Sequence, residues 1–517
     1  MPSRAVASVG IAAVAALVAL AWLGVRDRAA EQRALTAATI THYCRDCHDP
    51  LSQSGGLVLD ARDLSDVGAH AEAFEKVVRK LRAHTMPPAD NPRPDAATYD
   101  RVATFLETSL DRAAAAAPNP GTLPQLHRLT RTEYRNTIRD LLALDHLPAE
   151  MDYELLLPAD NANSGFDNLA DLLFVSPVIM ERYLEAARKI ARLAVGDPDT
   201  PVMVNIHRLP LQQPQDEEVD GLPLGSRGGL VADSYFPLDA EYAFRVQLER
   251  RPRELHELEI SVDGARVATA TIGVPGGSGP APTTFEFRVP VDAGPHRVGA
   301  AFVTRTEALD ERTVRQLRRS RGTLPAIEVV TIGGPYAATG PGVTPSRSRL
   351  FVCHPQSAAE ESPCAREILT ALLRRAYRRP VTAADVDELW PFYAAGAAEH
   401  GFERGIQRAL ERALVSPQFL FRIERVPRGV QPGQPFDLNA VELASRLSYF
   451  LWSSMPDDAL LAAAADGTLT DPRVLSREIA RLLADPRADS LVDNVASQWL
   501  FLRDVAHKDP DLFLFRD

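Results

Sequence analysis

A multidomain chain, mostly α-helical with one all-β module, is the fold class this sequence predicts, on three observations. Its 517 residues exceed what one compact domain holds. Apolar residues recur at three- and four-residue spacing towards both ends, but at every second position between about 203 and 335. A hydrophobic content of 45% leaves enough apolar surface for several cores. The formal net charge of -12 removes the basic face that a nucleic-acid binder needs, so no nucleic-acid partner is expected. No paired zinc-ribbon cysteines, phosphate-binding glycine loop or Gly-x-Ser-x-Gly elbow is present.

The chain opens with an uncharged stretch, Ala5 to Val25, behind Arg4. As a helix it would be roughly 30 Å long, the thickness of a bilayer core. Trp22-Leu23-Gly24-Val25 runs straight into Arg26-Asp27-Arg28 and offers no small-residue cleavage site. Residues 1–29 are therefore a signal anchor, with a cleaved signal peptide as the alternative. Both export the remainder of the chain to the periplasm or cell surface, and the first holds it at the inner membrane. Charge flanking the segment does not settle its orientation.

Of the four cysteines, two stand in Tyr43-Cys44-Arg45-Asp46-Cys47-His48. Two thiols one helical turn apart can each add to a vinyl group of one haem, and the next histidine is then placed to ligate the iron. A thioredoxin-like pair would not need His48 and would follow a strand in an α/β pattern. A zinc site would need a second ligand pair nearby. The expectation is one covalent haem c on Cys44 and Cys47, with His48 as the proximal ligand.

A low-spin carrier needs a sixth ligand. Met86 lies in His84-Thr85-Met86-Pro87-Pro88, where the prolines keep it out of a helix. It is the candidate distal ligand, and His84 is the competitor. Helices are predicted over 31–43, 71–82 and 95–116, enclosing a small haem-wrapping domain over 30–117. Pro118-Asn119-Pro120-Gly121 is its exit linker.

Thr130 and Glu133 form a capping box ahead of Tyr134, Ile138, Leu141 and Leu142. Ser176-Pro177 starts a second helix, giving a helical module over 124–197. Alternating runs at 242–248, 258–262, 285–291 and 297–303, with a hairpin signal at Asp263-Gly264, predict a β-sandwich over 203–340. Helices return at 364–378, 383–394, 402–414, 441–451 and 472–483, as modules over 346–425 and 434–517. Cys353 and Cys364 lack the haem spacing, and in an oxidising compartment such a leftover pair forms a disulfide.

Several of these phrases carry a resemblance. LHRLTRTEYRNTIRDLL (126–142) and GFDNLADLLFVSP (165–177) resemble the opening helical module of the planctomycete-type cytochrome c-associated proteins. GLPLGSRGG (221–229), YFPLDAEYAFRV (235–246) and GPYAATGPGVTPSRSRLFVC (334–353) are similar to their β module and its exit. RRAYRRPVTAADVDELWPFY (374–393), ERALVSPQFLFRIE (411–424) and LASRLSYFLWSSMPDDALLAAA (443–464) resemble their later helical modules. The resemblance implies an all-α cytochrome c domain with a Met-Pro-Pro loop, followed by modules largely of unknown function. Such proteins usually continue with two further C-terminal modules. A chain stopping at Asp517 is read as a fragment or a short form.

Other constellations have plainer readings. Asp160, Asp167 and Asp171 cluster around Gly165-Phe166, and Asp239 with Glu241 opens a strand. Turn and cap roles are expected for them, with calcium at Asp239 and Glu241 as the alternative. Arg374, Arg375, Arg378 and Arg379 read as a salt-bridged helix end rather than an anion site. Trp390, Trp452 and Trp499 read as core anchors rather than sugar platforms. Three functions remain open: electron transfer through a His/Met haem with modules that dock a partner or substrate; a haem-coupled oxidoreductase; and a surface protein whose β module binds carbohydrate. The sequence names no redox partner.

Overall fold

The computed structural model describes residues 29–505 except 118–125, 146, 148–150, 152, 162–165, 210–212, 214, 216, 250–251, 253–254, 275–281, 304–323, 432–433 and 504. The apolar segment Ala5 to Val25 lies outside them. Among the described residues, no helix is long and apolar enough to cross a membrane. The fold is mixed, helical with three small antiparallel sheets, and it divides into two compact units: 1–123 with 427–436, and 124–426 with 437–517.

In the first unit, α1 (29–39) continues into a wider turn at Ile40–Cys44, closed by the Arg45 N–H on the Ile40 carbonyl at 3.0 Å. α2 (Ala71–Arg82) and α3 (Ala96–Ala116) come after it. Phe74, Val77, Val78 and Leu81 repeat along one face of α2 and are buried against Tyr99, Val102, Leu106 and Leu110 of α3. That apolar stripe fixes the pairing. Asp95 caps α3 by accepting from the Thr98 N–H, and Arg82 at the end of α2 ties that helix to α3 through Asp100 and Glu107.

The second unit begins with β1 (Leu126–Arg128) and α4 (Arg131–Leu142), whose Thr130–Glu133 capping box is formed on both sides. α5 (Tyr153–Leu156) and α6 (Pro177–Val195) come next, α6 capped by Ser176. The β segment comprises β2 (Met203–Arg208), β3 (Ser226–Phe236), β4 (Asp239–Leu248), β5 (His256–Val262), β6 (Ala265–Ile272), β7 (Thr284–Val291), β8 (Gly294–Val303) and β9 (Ile327–Gly340). They form two four-stranded antiparallel sheets, ordered β2-β9-β4-β7 and β3-β8-β5-β6. Alternate residues of both, among them Phe236, Phe244, Ile260, Val298 and Ile332, enter one core. β3 slips register on β8 at Gly228-Gly229, where a Cβ on Gly229 would sit 2.1 Å from the Ala300 carbonyl, so only glycine fits.

Helices resume as α7 (Pro345–Leu350), α8 (Ala358–Ala376), α9 (Ala383–His400), α10 (Phe402–Leu414) and α11 (Pro417–Leu420). Their apolar faces share one core with α4 and α6: Tyr134, Ile138 and Ile190 pack with Ile368, Leu389, Leu410 and Phe419. The β segment is thus inserted into a continuous helical body. β10 (Phe421–Ile423) pairs with β1, Leu126 opposite Ile423. α12 (Ala440–Trp452), α13 (Asp458–Ala465) and α14 (Pro472–Ala484) gather around the fully buried Trp452, and α15 (Ser497–Trp499) ends the described helices. Trp499 departs from expectation: it is 68% exposed. It falls in a one-turn helix too short to give it an inward face.

Candidate haem site

The wider turn at 40–44 delivers Cys44 half-buried against the first unit's core, while Cys47 is exposed. The two thiols are free of any disulfide. Burial first, and the neighbouring Cys47 second, push the Cys44 thiol up to about 11. The N–H groups of Cys47 and His48 both donate to the Cys44 carbonyl, at 3.3 and 3.0 Å, so the motif closes as one helical turn.

His48 is held twice by the next loop. Its ring Nδ1 lies 3.1 Å from the Leu57 carbonyl, and its own carbonyl accepts from the Leu59 N–H at 2.8 Å. A carbonyl only accepts, so Nδ1 carries a proton, and in the neutral ring this leaves the lone pair on Nε2. That is the tautomer a metal-ligating histidine needs. Gly55 and Gly56, at φ 65 and 67, turn the chain so that Leu57 reaches back.

Met86 is placed by other elements. α2 ends with the His84 N–H on the Leu81 carbonyl and the Thr85 N–H on the Lys80 carbonyl. The Met86 carbonyl then accepts from the Tyr99 hydroxyl of α3 at 3.0 Å, leaving the side chain 38% exposed. Arg93 donates to that hydroxyl and to the His84 carbonyl, and the His84 ring packs on Tyr99 with centroids 4.6 Å apart. Sequence reasoning placed Tyr99 only on the apolar face of its helix and missed Arg93. A tyrosine on a core face thirteen positions beyond a Met-Pro-Pro loop was the available signal.

Cys353 and Cys364 form the disulfide, tying the chain after α7 to α8. Most of the other candidates are engaged structurally. Asp160 pairs with buried Arg128 at 2.6 Å, and Asp167 with Arg503 at 2.6 Å. Asp239 accepts from the Ala293 N–H, and no three metal-ligating side chains gather among the described residues. Arg374 and Arg375 pair with Asp458 and Arg379 with Asp385, whereas Arg378 donates to the carbonyls of Ala376, Gln418, Phe419 and Phe421. Trp452 donates to the Leu482 carbonyl, and Trp390 packs partly buried on the helical core.

A family model described as planctomycete cytochrome C matches residues 44–90, which span Cys44, Cys47, His48 and Met86. Models described as proteins of unknown function match 127–196 (DUF1587), 364–424 (DUF1595) and 438–517 (DUF1592). The chain is a planctomycete-type cytochrome c-associated multidomain protein. No curated protein and no solved structure matches it. The cytochrome c domain implies haem c, and the donor set fits it: two unpaired thiols on one turn, an imidazole with Nε2 free, and a thioether on a separate loop.

Proposed function

We propose that the protein is an exported cytochrome that carries one covalent haem c and passes electrons, its helical and β modules docking a partner or substrate. Cys44 and Cys47 would form the two thioethers, His48 Nε2 would be the proximal ligand and Met86 Sδ the distal one. The observation that carries this reading is the Leu57 carbonyl on His48 Nδ1, which orients the ring and leaves Nε2 for a metal. Bound there, haem c supplies a one-electron redox centre. The chain's part is to hold the imidazole in one tautomer and to fix the methionine loop through Tyr99 and Arg93. Export rests on the segment ahead of residue 29 and membrane attachment on its retention. The redox partner is a separate protein, and carbohydrate or calcium at the β module belongs to this reading only as an accessory.

Co-expression with a periplasmic haem-maturation system tests it. The wild-type chain should give a peroxidase-active band after denaturing electrophoresis, and Cys44→Ala with Cys47→Ala should give none. A wild-type chain without the band ends the covalent-haem reading.

A further inference from the structure

A cavity of about 500 Å³ in the second unit has no part in the cytochrome reading. An adjoining one of about 210 Å³ shares Asp167 and Asn494 with it. The groove is walled by α4, by residues 159–168 without the undescribed 162–165, and by the chain around 490–503. α4 presents Arg131, Arg135 and Arg139 at four-residue intervals, which puts them on one helix face. Arg503 adds a fourth guanidinium against three carboxylates, Asp160, Asp167 and Asp493.

Two of those carboxylates are already spent. Asp160 accepts from Arg128, which lies outside the lining, and from the Arg131 N–H, each at 2.6 Å. Asp167 is taken by Arg503. Guanidinium capacity is left over. Arg135 is exposed and makes no ion pair among the described residues. Arg139 places Nε on Asp140 at 2.7 Å, but its Nη2 is buried without an acceptor. A buried N–H of a charged group left unpaired in a native fold calls for an explanation, and a bound acceptor is one. Beside the guanidinium face, Asp493 offers a carboxylate suited to hydroxyl groups, and Asn136 and Asn494, whose Nδ2 groups already donate to Ser453, each keep a second amide N–H. Next to them Phe166 and Phe450, the latter 54% exposed, offer aromatic faces in the adjoining cavity.

We propose that this groove binds a polyhydroxylated carboxylate of sugar-acid size. Its carboxylate lies on the Arg135 and Arg139 guanidiniums, its hydroxyls on the amides and Asp493, and its C–H face on the phenylalanines. Planar guanidinium recognises a carboxylate through paired hydrogen bonds, and neither the neutral sugar nor a bare inorganic anion satisfies both halves of the groove. The site lies within segments matched as 127–196 and 438–517, to which no function is assigned.

The test is calorimetric titration of the full haem-loaded chain with glucuronate, galacturonate, gluconate, glucose and inorganic sulfate. At least one sugar acid should bind, with glucose and sulfate roughly tenfold or more weaker. Arg135→Glu should weaken that sugar acid by at least about tenfold. Because Arg135 is exposed and makes no ion pair among the described residues, this variant should keep the wild-type melting curve and haem spectrum. Failure of all three sugar acids to bind overturns the proposal, as does equal binding to Arg135→Glu. Sulfate as tight as the sugar acids overturns it too, since the groove would then be a simple anion site. Haem attachment is read separately from the spectrum, so failure here leaves the cytochrome reading untouched.

Discussion

At the scale of single residues, the chemistry turns on which side chain completes the haem site and which thiol reacts. If Met86 Sδ is the distal ligand, it favours the reduced iron and blocks exogenous ligands. Met86→Ala should then lower the reduction potential, admit carbon monoxide and abolish the far-red sulfur-to-iron absorption. His84→Ala should leave all three nearly unchanged, because its ring is packed on Tyr99. The reverse outcome would make His84 the ligand. The two thiols also differ in the haem-free chain. Cys44 is half-buried and its pKa is raised from 9.0 to about 11, whereas Cys47 is exposed. A raised pKa means that the folded state keeps its proton where an unfolded thiol would lose it. Cys44 therefore costs the fold stability as pH rises from 9.0 towards 11, and nothing below that window. Iodoacetamide at pH 8.5 should label Cys47 well before Cys44, with Cys44 catching up only near pH 11. Equal labelling at pH 8.5 would contradict the burial.

At the scale of elements, much was legible where a local device fixes a boundary. The Thr130–Glu133 box and Ser176-Pro177 both start helices as read, because each satisfies orphan backbone N–H groups without help from distant residues. The Asp263-Gly264 turn likewise joins β5 to β6. Tertiary packing set what local signals could not. α8 was expected from Cys364 but begins at Ala358, so Pro363 lies inside it. The missing N–H removes one bond to the Ala359 carbonyl, which burial of Ala365, Ile368 and Leu369 outweighs. β3 was missed because its burial depends on the sheet opposite, not on strict alternation. At the proposed haem site the candidate residues came from spacing, while the Leu57 carbonyl and Tyr99 hydroxyl could not, since hydrogen bonds across a loop leave no periodic trace. The disulfide closes a short loop onto α8. Cys353→Ser with Cys364→Ser should lower the second unit's stability by about 2–3 kcal/mol. Denaturant titration would show it, with the haem spectrum unchanged.

At the scale of the whole molecule, two compact units with separate hydrophobic cores imply two unfolding events rather than one. The chain supplies its own probes for them. Haem absorbance reports the first unit, which holds Cys44, Cys47, His48 and Met86. Trp390 and Trp452 report the second, Trp452 from a fully buried position between α12 and α14. The thioethers would keep haem on the unfolded chain as well, but Met86 ligation forms only in the folded first unit, so its loss should lower the first transition alone. A thermal scan followed by Soret absorbance and by tryptophan fluorescence should therefore give two distinct midpoints. Met86→Ala should lower the absorbance midpoint and leave the fluorescence midpoint in place, and loss of the Cys353–Cys364 disulfide should do the opposite. A single shared midpoint, moved equally by both substitutions, would mean that the units unfold as one cooperative body.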